Sequence, residues 1–323
     1  MNRQIHKHFA ITPVNIRKLN GYDNINYLVT TKEKEYILKS YKPNPGTMTL
    51  LEAENIVLLS LQEGNNDHYP MPIPFTDGNY LKTVEIEGEK YIWRLLSFLE
   101  GNFLGGVTHT RIMFRSLGEF LAEMDLKLQR LQHPAIRNRI WKWDIQYLHL
   151  SEKYVEDIAR DEDRKTVQKV FRQYARHVVP VIPDLRKQII HNDANEWNVL
   201  VKNGIVSGII DFGDLSFTPL INELAITIAY ACFDKDDPLE WATPIIEAYH
   251  KIIPLEKKEL NILYYLIAAR LTQSVCNAAL ARKEMPENEH AFVSEQKAWR
   301  MLYLWSETDP DKAHKRFLNA AKK

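Results

Sequence analysis

Hydrophobic and polar positions follow a strand-like pattern at the start of the chain and a helical one later. Short β-prone runs over residues 13–41 predict three antiparallel strands, Val14–Leu19, Tyr27–Thr31 and Glu35–Tyr41. Polar turn residues inside LVTTKEKEYILKSY separate the last two, as a hairpin requires. Tyr41–Met48, with Pro43, Pro45 and Gly46, reads as a loop. Thr49–Gln62 then predicts a helix closed by Gly64 and the polar NND that follows. YPMPIPFTDGN (69–79) is extended and rich in proline. Two more strands follow, Tyr80–Ile86 and Lys90–Leu96, joined at Glu87-Gly88. From residue 111 the period lengthens: Met113, Leu117, Phe120, Leu121, Met124, Leu128 and Leu131 form one helical stripe, a core face stopped by His133-Pro134. Residues 151–187 are charged and helical, including the solvated run RDEDRK (160–165), and the chain from Leu239 onward is helical again.

The stretch QIIHNDANEWNVLVKNGIVSGIIDFGD (188–214) fits neither pattern. Gln188–Ile190 is apolar enough for a buried strand end. His191, Asn192, Asp193, Asn195, Glu196 and Asn198 then concentrate more hydrogen-bonding chemistry than a connection needs. Val199–Val201 and Ile205–Ile210 are β-prone, and Asn203-Gly204 between them is a two-residue hairpin signal. That turn pairs Lys202 with Ile205 and Val201 with Val206, sets Asn198 opposite Ile209, and brings Asp211 out beside Asn198. Such a set suits metal-assisted phosphoryl transfer. The first Asp orients a hydroxyl and accepts its proton, while the Asn and the second Asp offer Mg²⁺ one neutral and one anionic oxygen. A lone H-x-D is ordinarily a loop capped by Asx turns. H-x-D-x-x-x-x-N followed by an NG hairpin and I-D-F-G-D is not ordinary.

At these residues the chain resembles the aminoglycoside phosphotransferase/choline kinase family, relatives of the protein kinases. His191, Asp193 and Asn198 match its catalytic-loop motif, and Asp211-Phe212-Gly213 its metal-binding motif. The wording is most similar to hydroxylysine kinases and to the kinase-like domain of some class-III aminotransferase fusions. One departure is Asn192, where the family usually has Gly; Asn tolerates a left-handed backbone better than most residues. The resemblance implies an α+β, protein-kinase-like bilobal fold. Residues 1–96 would form a small antiparallel-sheet N-lobe with one helix, and 97–323 a larger, mainly helical C-lobe. ATP (or GTP) and Mg²⁺ are implied with it. Asp193 acts as base, Asn198 and Asp211 as metal ligands, and His191 as scaffolding for the loop.

Further roles follow from the resemblance. Lys39, on the third strand, binds the nucleotide phosphates and needs a helix Glu to hold it. Periodicity leaves Glu52 and Glu54 equally open; the register of LEAENIVLLSL resembles the family's with the acid at Glu52. Leu96, Ser97, Phe98 and Leu99, in RLLSFLEGN, are the candidates whose backbone pairs with the adenine edge. NGYDNIN (20–26) offers backbone N–H groups to a phosphate, although it is not a G-x-G-x-x-G loop. Asp144, in IWKWDIQYLHL, either meets a substrate amine or caps a helix. Thr218-Pro219 reads as an N-cap and first helical residue, and Glu223 as an acid buttressing the metal loop. Asp234, Asp236 and Asp237 are candidates to attract a cationic substrate, and Arg270 or Arg282 to face a carboxylate; surface charge is the ordinary reading of each.

Composition narrows the partners. The 323 residues carry 42 Lys+Arg against 42 Asp+Glu, so no global basic field draws in nucleic acid or an anionic membrane. Cys232 and Cys276 lie in apolar helical runs without C-x-x-C spacing, which argues against a disulfide framework or zinc site and fits a reducing cytoplasm. The start lacks the apolar core of a signal peptide, and no run reaches membrane-span length. The partner expected is therefore a small hydroxylated molecule: an amino alcohol or hydroxy amino acid such as hydroxylysine or homoserine. A choline or aminoglycoside acceptor, or a nucleotide-binding pseudokinase scaffold, are the alternatives. No feature of the sequence sets an oligomeric state.

Overall fold

The early alternation builds a sheet in the computed structural model, which describes residues 1–19, 24–63, 67–284, 287 and 294–322. The chain divides into two compact units: Met1–Glu100 with Gly208–Gly213, and Gly101–Ser207 with Asp214–Lys323. The first comprises α1 (Asn2–Phe9), β1 (Asn15–Leu19), β2 (Ile25–Thr30), β3 (Glu35–Tyr41), α2 (Thr47–Leu61), β4 (Pro72–Ile73), β5 (Lys82–Ile86) and β6 (Glu89–Ser97). Its antiparallel sheet runs β1-β2-β3-β6-β4, with β5 also paired to β6. Glu87 and Gly88 join β5 to β6 with φ of 53° and 84°, the positive pair that a two-residue hairpin matched to strand twist demands.

Period two gives the sheet distinct faces. Val29, Leu38, Trp93 and Leu95 pack with Ile5, Phe9, Phe75 and Val84 into an apolar cluster that α1 covers. Pairing of Lys39 with Arg94 in the β3–β6 register places both cations on the opposite face. Helix α1 is not legible beforehand, because only Ile5 and Phe9 mark its buried side over two turns.

The second unit is mainly helical. Its elements are β7 (Asn102–Phe103), α3 (Arg111–Leu128), α4 (Pro134–Arg137), α5 (Asp161–His177), β8 (Lys187–Ile190), β9 (Val199–Lys202), β10 (Ile205–Ile209), β11 (Ser216–Pro219), α6 (Ile221–Ala231), α7 (Pro238–Ile252), α8 (Lys257–Glu284), α9 (Glu295–Glu307) and α10 (Pro310–Ala320), with a 3₁₀ run over Ile145–Asp157. The last two residues of β10 belong to the first unit. Helix α8 is buried from Ile262 to Ala279 and packs against α5, α6, α9, α10 and the 3₁₀ run. Helices α3 and α7 meet closely at Gly118, where an added Cβ would lie 2.2 Å from the Ile245 carbonyl oxygen.

Two small sheets carry the stretch around 188–219. Strands β10, β9 and β7 form one, and β11 with β8 the other. Asn203 and Gly204 turn between β9 and β10 with φ of 55° and 80°, the hairpin the sequence signalled. Thr218-Pro219 departs from expectation: both lie in β11, Thr218 opposite Gln188, and α6 starts only at Ile221. Thr218 gives its hydroxyl to Asp144 Oδ1 at 2.7 Å instead of capping a helix, and Pro219 sits at the strand end, where its missing N–H costs least.

Candidate active site

In the second unit the loop after β8 is held from below. The buried His191 ring accepts the Asp193 N–H through Nδ1 at 3.2 Å, a scaffolding contact. Asn192 has φ 66°, the left-handed conformation expected where the family carries Gly. Its N–H donates to Glu223 Oε2 at 3.1 Å, and its side-chain Nδ2 reaches Ser216 Oγ at 3.3 Å. Glu223 is fully buried, and burial pushes its carboxyl up to about 7, against the downward pull of the Asn192 and His191 backbone N–H groups. Asp125 is buried behind it and accepts the Tyr249 hydroxyl at 2.6 Å; burial and then the Glu223 carboxyl raise its pKa well above the usual range.

Asp193 is fixed through both oxygens. Oδ2 accepts from Asn198 Nδ2 at 2.7 Å and Asn195 Nδ2 at 3.0 Å, while Oδ1 accepts from Arg270 Nη2 at 2.8 Å. Its side chain remains 21 % exposed, so it meets solvent in a set orientation. Asn198 Nδ2 also donates to the Asp193 carbonyl at 2.9 Å, which commits the amide nitrogen to the loop and leaves the amide oxygen as the acceptor. The backbone N–H of Trp197 closes the loop on Asn195 Oδ1 at 2.8 Å.

The first unit holds the other motif. Lys39 Nζ donates to Asp211 Oδ1 at 2.7 Å; the lysine side chain is 8 % exposed and the acid 47 %. Burial works to lower the Lys39 pKa, but Asp211 and then Tyr41 outweigh it, and the ammonium is held above its ordinary range. Asp211 has φ 63°, a left-handed strain of the kind concentrated at functional sites. The Ile209 N–H bonds to the His68 carbonyl at 3.1 Å, and Phe212 meets the Tyr69 ring edge-on, so 208–213 packs as part of this unit. An amide oxygen at Asn198 and a half-exposed carboxylate at Asp211 are each hard donors of the kind magnesium takes.

Several expected residues stand elsewhere. Glu52 is exposed and does not hold Lys39. The buried acid of α2 is Glu54, and it pairs with Arg94 Nη1 at 2.7 Å. A helix apolar on most of its surface gives no stripe to choose between two acids, and the choice falls to Arg94, which is 1 % exposed and needs a counter-charge. The Ser97 N–H is donated to the Met71 carbonyl at 2.9 Å and the Phe98 N–H to the Glu35 carbonyl at 3.3 Å, while Leu96 lies inside β6 opposite Ile37 and Pro72. The backbone N–H groups of Ser97 and Phe98 are thus already bonded within the first unit. Residues 20–23 of the expected phosphate loop lie outside the described residues, as do Gly64 to Asn66 after α2.

Asp144 is a buried cap. It accepts the Gln146 N–H at 3.0 Å as well as the Thr218 hydroxyl, and is unavailable to a substrate amine. Asp234 pairs with Lys297 and Arg300, Asp237 caps α7, and Arg282 pairs with Glu295, all surface arrangements. Arg270 is the exception to the ordinary reading of a surface charge: it is buried and bonded to Asp193. The largely apolar stretches on either side of it, LNILYYLIAA and LTQSVCNAALA, were the available signal, since a cation in the middle of such a run must find a partner inside.

Known proteins share this organisation. The model of the phosphotransferase enzyme family matches residues 15–260. Hydroxylysine kinase of Danio rerio is 28% identical over 97% of this chain and 92% of its own length. Homoserine kinase of Zymomonas mobilis is 28% identical over 74% of this chain and 72% of its own. Among solved structures, a microcompartment-associated aminopropanol kinase aligns with a TM-score of 0.74 at 19% identity, covering 92% of this chain and 94% of its own. The amicoumacin kinase hAmiN, solved with AMP-PNP and Ca²⁺, aligns with a TM-score of 0.73 at 16% identity, covering 96% and 95%. The fold is therefore kinase-like. Because the family match includes both motif loops and three quarters of the sequence, this chain belongs to the phosphotransferase enzyme family and is a small-molecule kinase.

Proposed function

We propose that this protein transfers the γ-phosphoryl group of ATP to a hydroxyl of a hydroxy amino acid or amino alcohol, with hydroxylysine-like and homoserine-like acceptors foremost. The observation that carries the reading is the Asp193 carboxylate, held through both oxygens yet open to solvent. Such a group orients an incoming hydroxyl and takes its proton as the O–P bond forms. Similarity to hydroxylysine kinase along nearly the whole chain supports the acceptor class.

The remaining roles follow the local chemistry. Lys39 binds the nucleotide phosphates, its charge secured by Asp211. Asn198 and Asp211 would hold magnesium, which when bound neutralises charge on those phosphates. Asn198 also clamps Asp193, so it serves both groups. His191 and Glu223 hold the loop backbone, and no proton moves through them. Residues 1–96 supply the nucleotide-binding sheet and helix, and 97–323 the catalytic loop, the metal site and the acceptor-binding helices. Two free, buried cysteines suit a cytoplasmic setting.

The test is ADP release with Mg-ATP or Mg-GTP against hydroxylysine, homoserine, ethanolamine, choline and two aminoglycosides. Turnover on hydroxylysine, homoserine or ethanolamine supports the proposal. Turnover confined to choline or the aminoglycosides replaces the acceptor class, and nucleotide binding with no acceptor-dependent turnover on any of them contradicts the catalytic reading.

A further inference from the structure

We infer that Arg270 is a positioning residue for phosphoryl transfer: it locks the Asp193 carboxylate in one orientation and neutralises it from behind. The inference rests on the reading of Asp193 as the hydroxyl's partner, and it concerns how that residue is made fit for the task. Arg270 lies in the middle of α8 and is 1 % exposed. Its guanidinium lies near two aromatic rings, 5.0 Å from the centroid of Trp143 and 5.3 Å from that of Tyr230. Each of its three nitrogens has a separate acceptor: Nε the Tyr230 hydroxyl at 3.2 Å, Nη1 the Trp143 carbonyl at 2.7 Å, and Nη2 Asp193 Oδ1 at 2.8 Å. The Tyr230 hydroxyl is itself tied to Ser274 Oγ at 2.7 Å.

This geometry separates two roles. A guanidinium this buried presents no face to a substrate carboxylate, so Arg270 is not the acceptor's anchor. It acts through Asp193. A buried cation is costly without a counter-charge, and the acid directly bonded to it is the loop residue that meets solvent. Asn195 and Asn198 hold the other oxygen, so any turn of the carboxylate breaks at least one bond. Positive charge behind Asp193 also offsets its repulsion of an approaching polyanionic phosphate. The planar fork is what allows three partners on three nitrogens, and a lysine ammonium cannot reproduce it.

A double-mutant cycle tests this with the full-length enzyme, Mg-ATP and the acceptor found by the panel. Arg270→Met should lower kcat by about a hundredfold, the cost of misplacing a reacting group, and leave the KM for Mg-ATP within about twofold. In an Asp193→Asn background the same change should have almost no further effect on the residual rate, because its route has already been removed. Arg270→Lys, which keeps a cation in the pocket, provides a second and milder variant if the Met variant does not fold, and it should lose kcat in the same Asp193-dependent way. Tyr230→Phe controls for packing: it removes the Nε partner, keeps the Asp193 bond, and should retain most activity. An equal loss in both backgrounds, or normal kcat in both Arg270 variants, overturns the inference. Wild-type turnover by Asp193→Asn alone would instead overturn the reading of Asp193.

Discussion

At the scale of single residues, burial decides which charges matter. Glu52 and Glu54 are two positions apart on α2, one exposed and one bonded to a buried arginine. Glu54→Gln leaves Arg94 without its counter-charge and should cost roughly 3–5 kcal/mol in chemical denaturation, whereas Glu52→Gln should change stability by less than about 0.5 kcal/mol. Equal effects would mean that the Glu54–Arg94 pair does not form. Sequence periodicity leaves these two acids tied, because the tie is broken by a partner on a strand forty residues away in the chain. Asp193 and Asn198 bond at the five-residue spacing that the sequence displays, whereas Asp211 bonds Lys39, 172 positions away. For Arg270 the surrounding apolar run signals burial but not the partner, which is 77 residues distant.

Glu223 gives a pH dependence with a definite sign. Its carboxyl, raised to about 7 by burial, binds its proton more tightly in the folded protein than in the unfolded chain. Its contribution to stability is therefore fully present below the ordinary carboxylate range and is lost as pH rises from there through about 7, by at most roughly 1.4 kcal/mol per pH unit. The groups facing this acid and its neighbour Asp125 are the His191 and Asn192 backbone, Arg270, Tyr249 and Arg186. Glu223→Gln still accepts the Asn192 N–H but carries no proton to lose, so the slope of the melting temperature between pH 5 and 8 should shrink. An unchanged slope would assign the titration to another group.

At the scale of elements, the strands were readable and the contacts between helices were not. Alternation marks β1 to β3, β5 and β6, and the turn residues at Glu87-Gly88 and Asn203-Gly204 adopt the positive φ their chemistry favours. Strand β11 escaped notice: four residues ending in proline look like a helix start until Thr218 finds Asp144. The α3–α7 contact depends on a glycine that no pattern singles out. Gly118→Ala puts a methyl group 2.2 Å from the Ile245 carbonyl and should destabilise the protein by about 1–3 kcal/mol, seen as a lower denaturation midpoint. A variant as stable as wild type would show that the two helices can move apart freely.

At the scale of the whole molecule, the motif chemistry is divided between the two units. Lys39 and Asp211 belong to the first, Asp193 and Asn198 to the second, and Gly208–Gly213 is claimed by the first although the residues on either side belong to the second. This discontinuity is invisible to a linear division of the sequence, because it arises from the bonds Ile209 and Asp211 make to His68 and Lys39. Net charge of zero leaves recognition to local groups rather than to a global field. No helix among the described residues is long and apolar enough to cross a membrane. The most direct measurement is turnover by Asp193→Asn with the best acceptor, read alongside its Mg-ATP affinity. The account predicts that transfer is lost while nucleotide affinity stays within about threefold of wild type, since the carboxylate serves the hydroxyl rather than the phosphates. Undiminished turnover in that variant would contradict it.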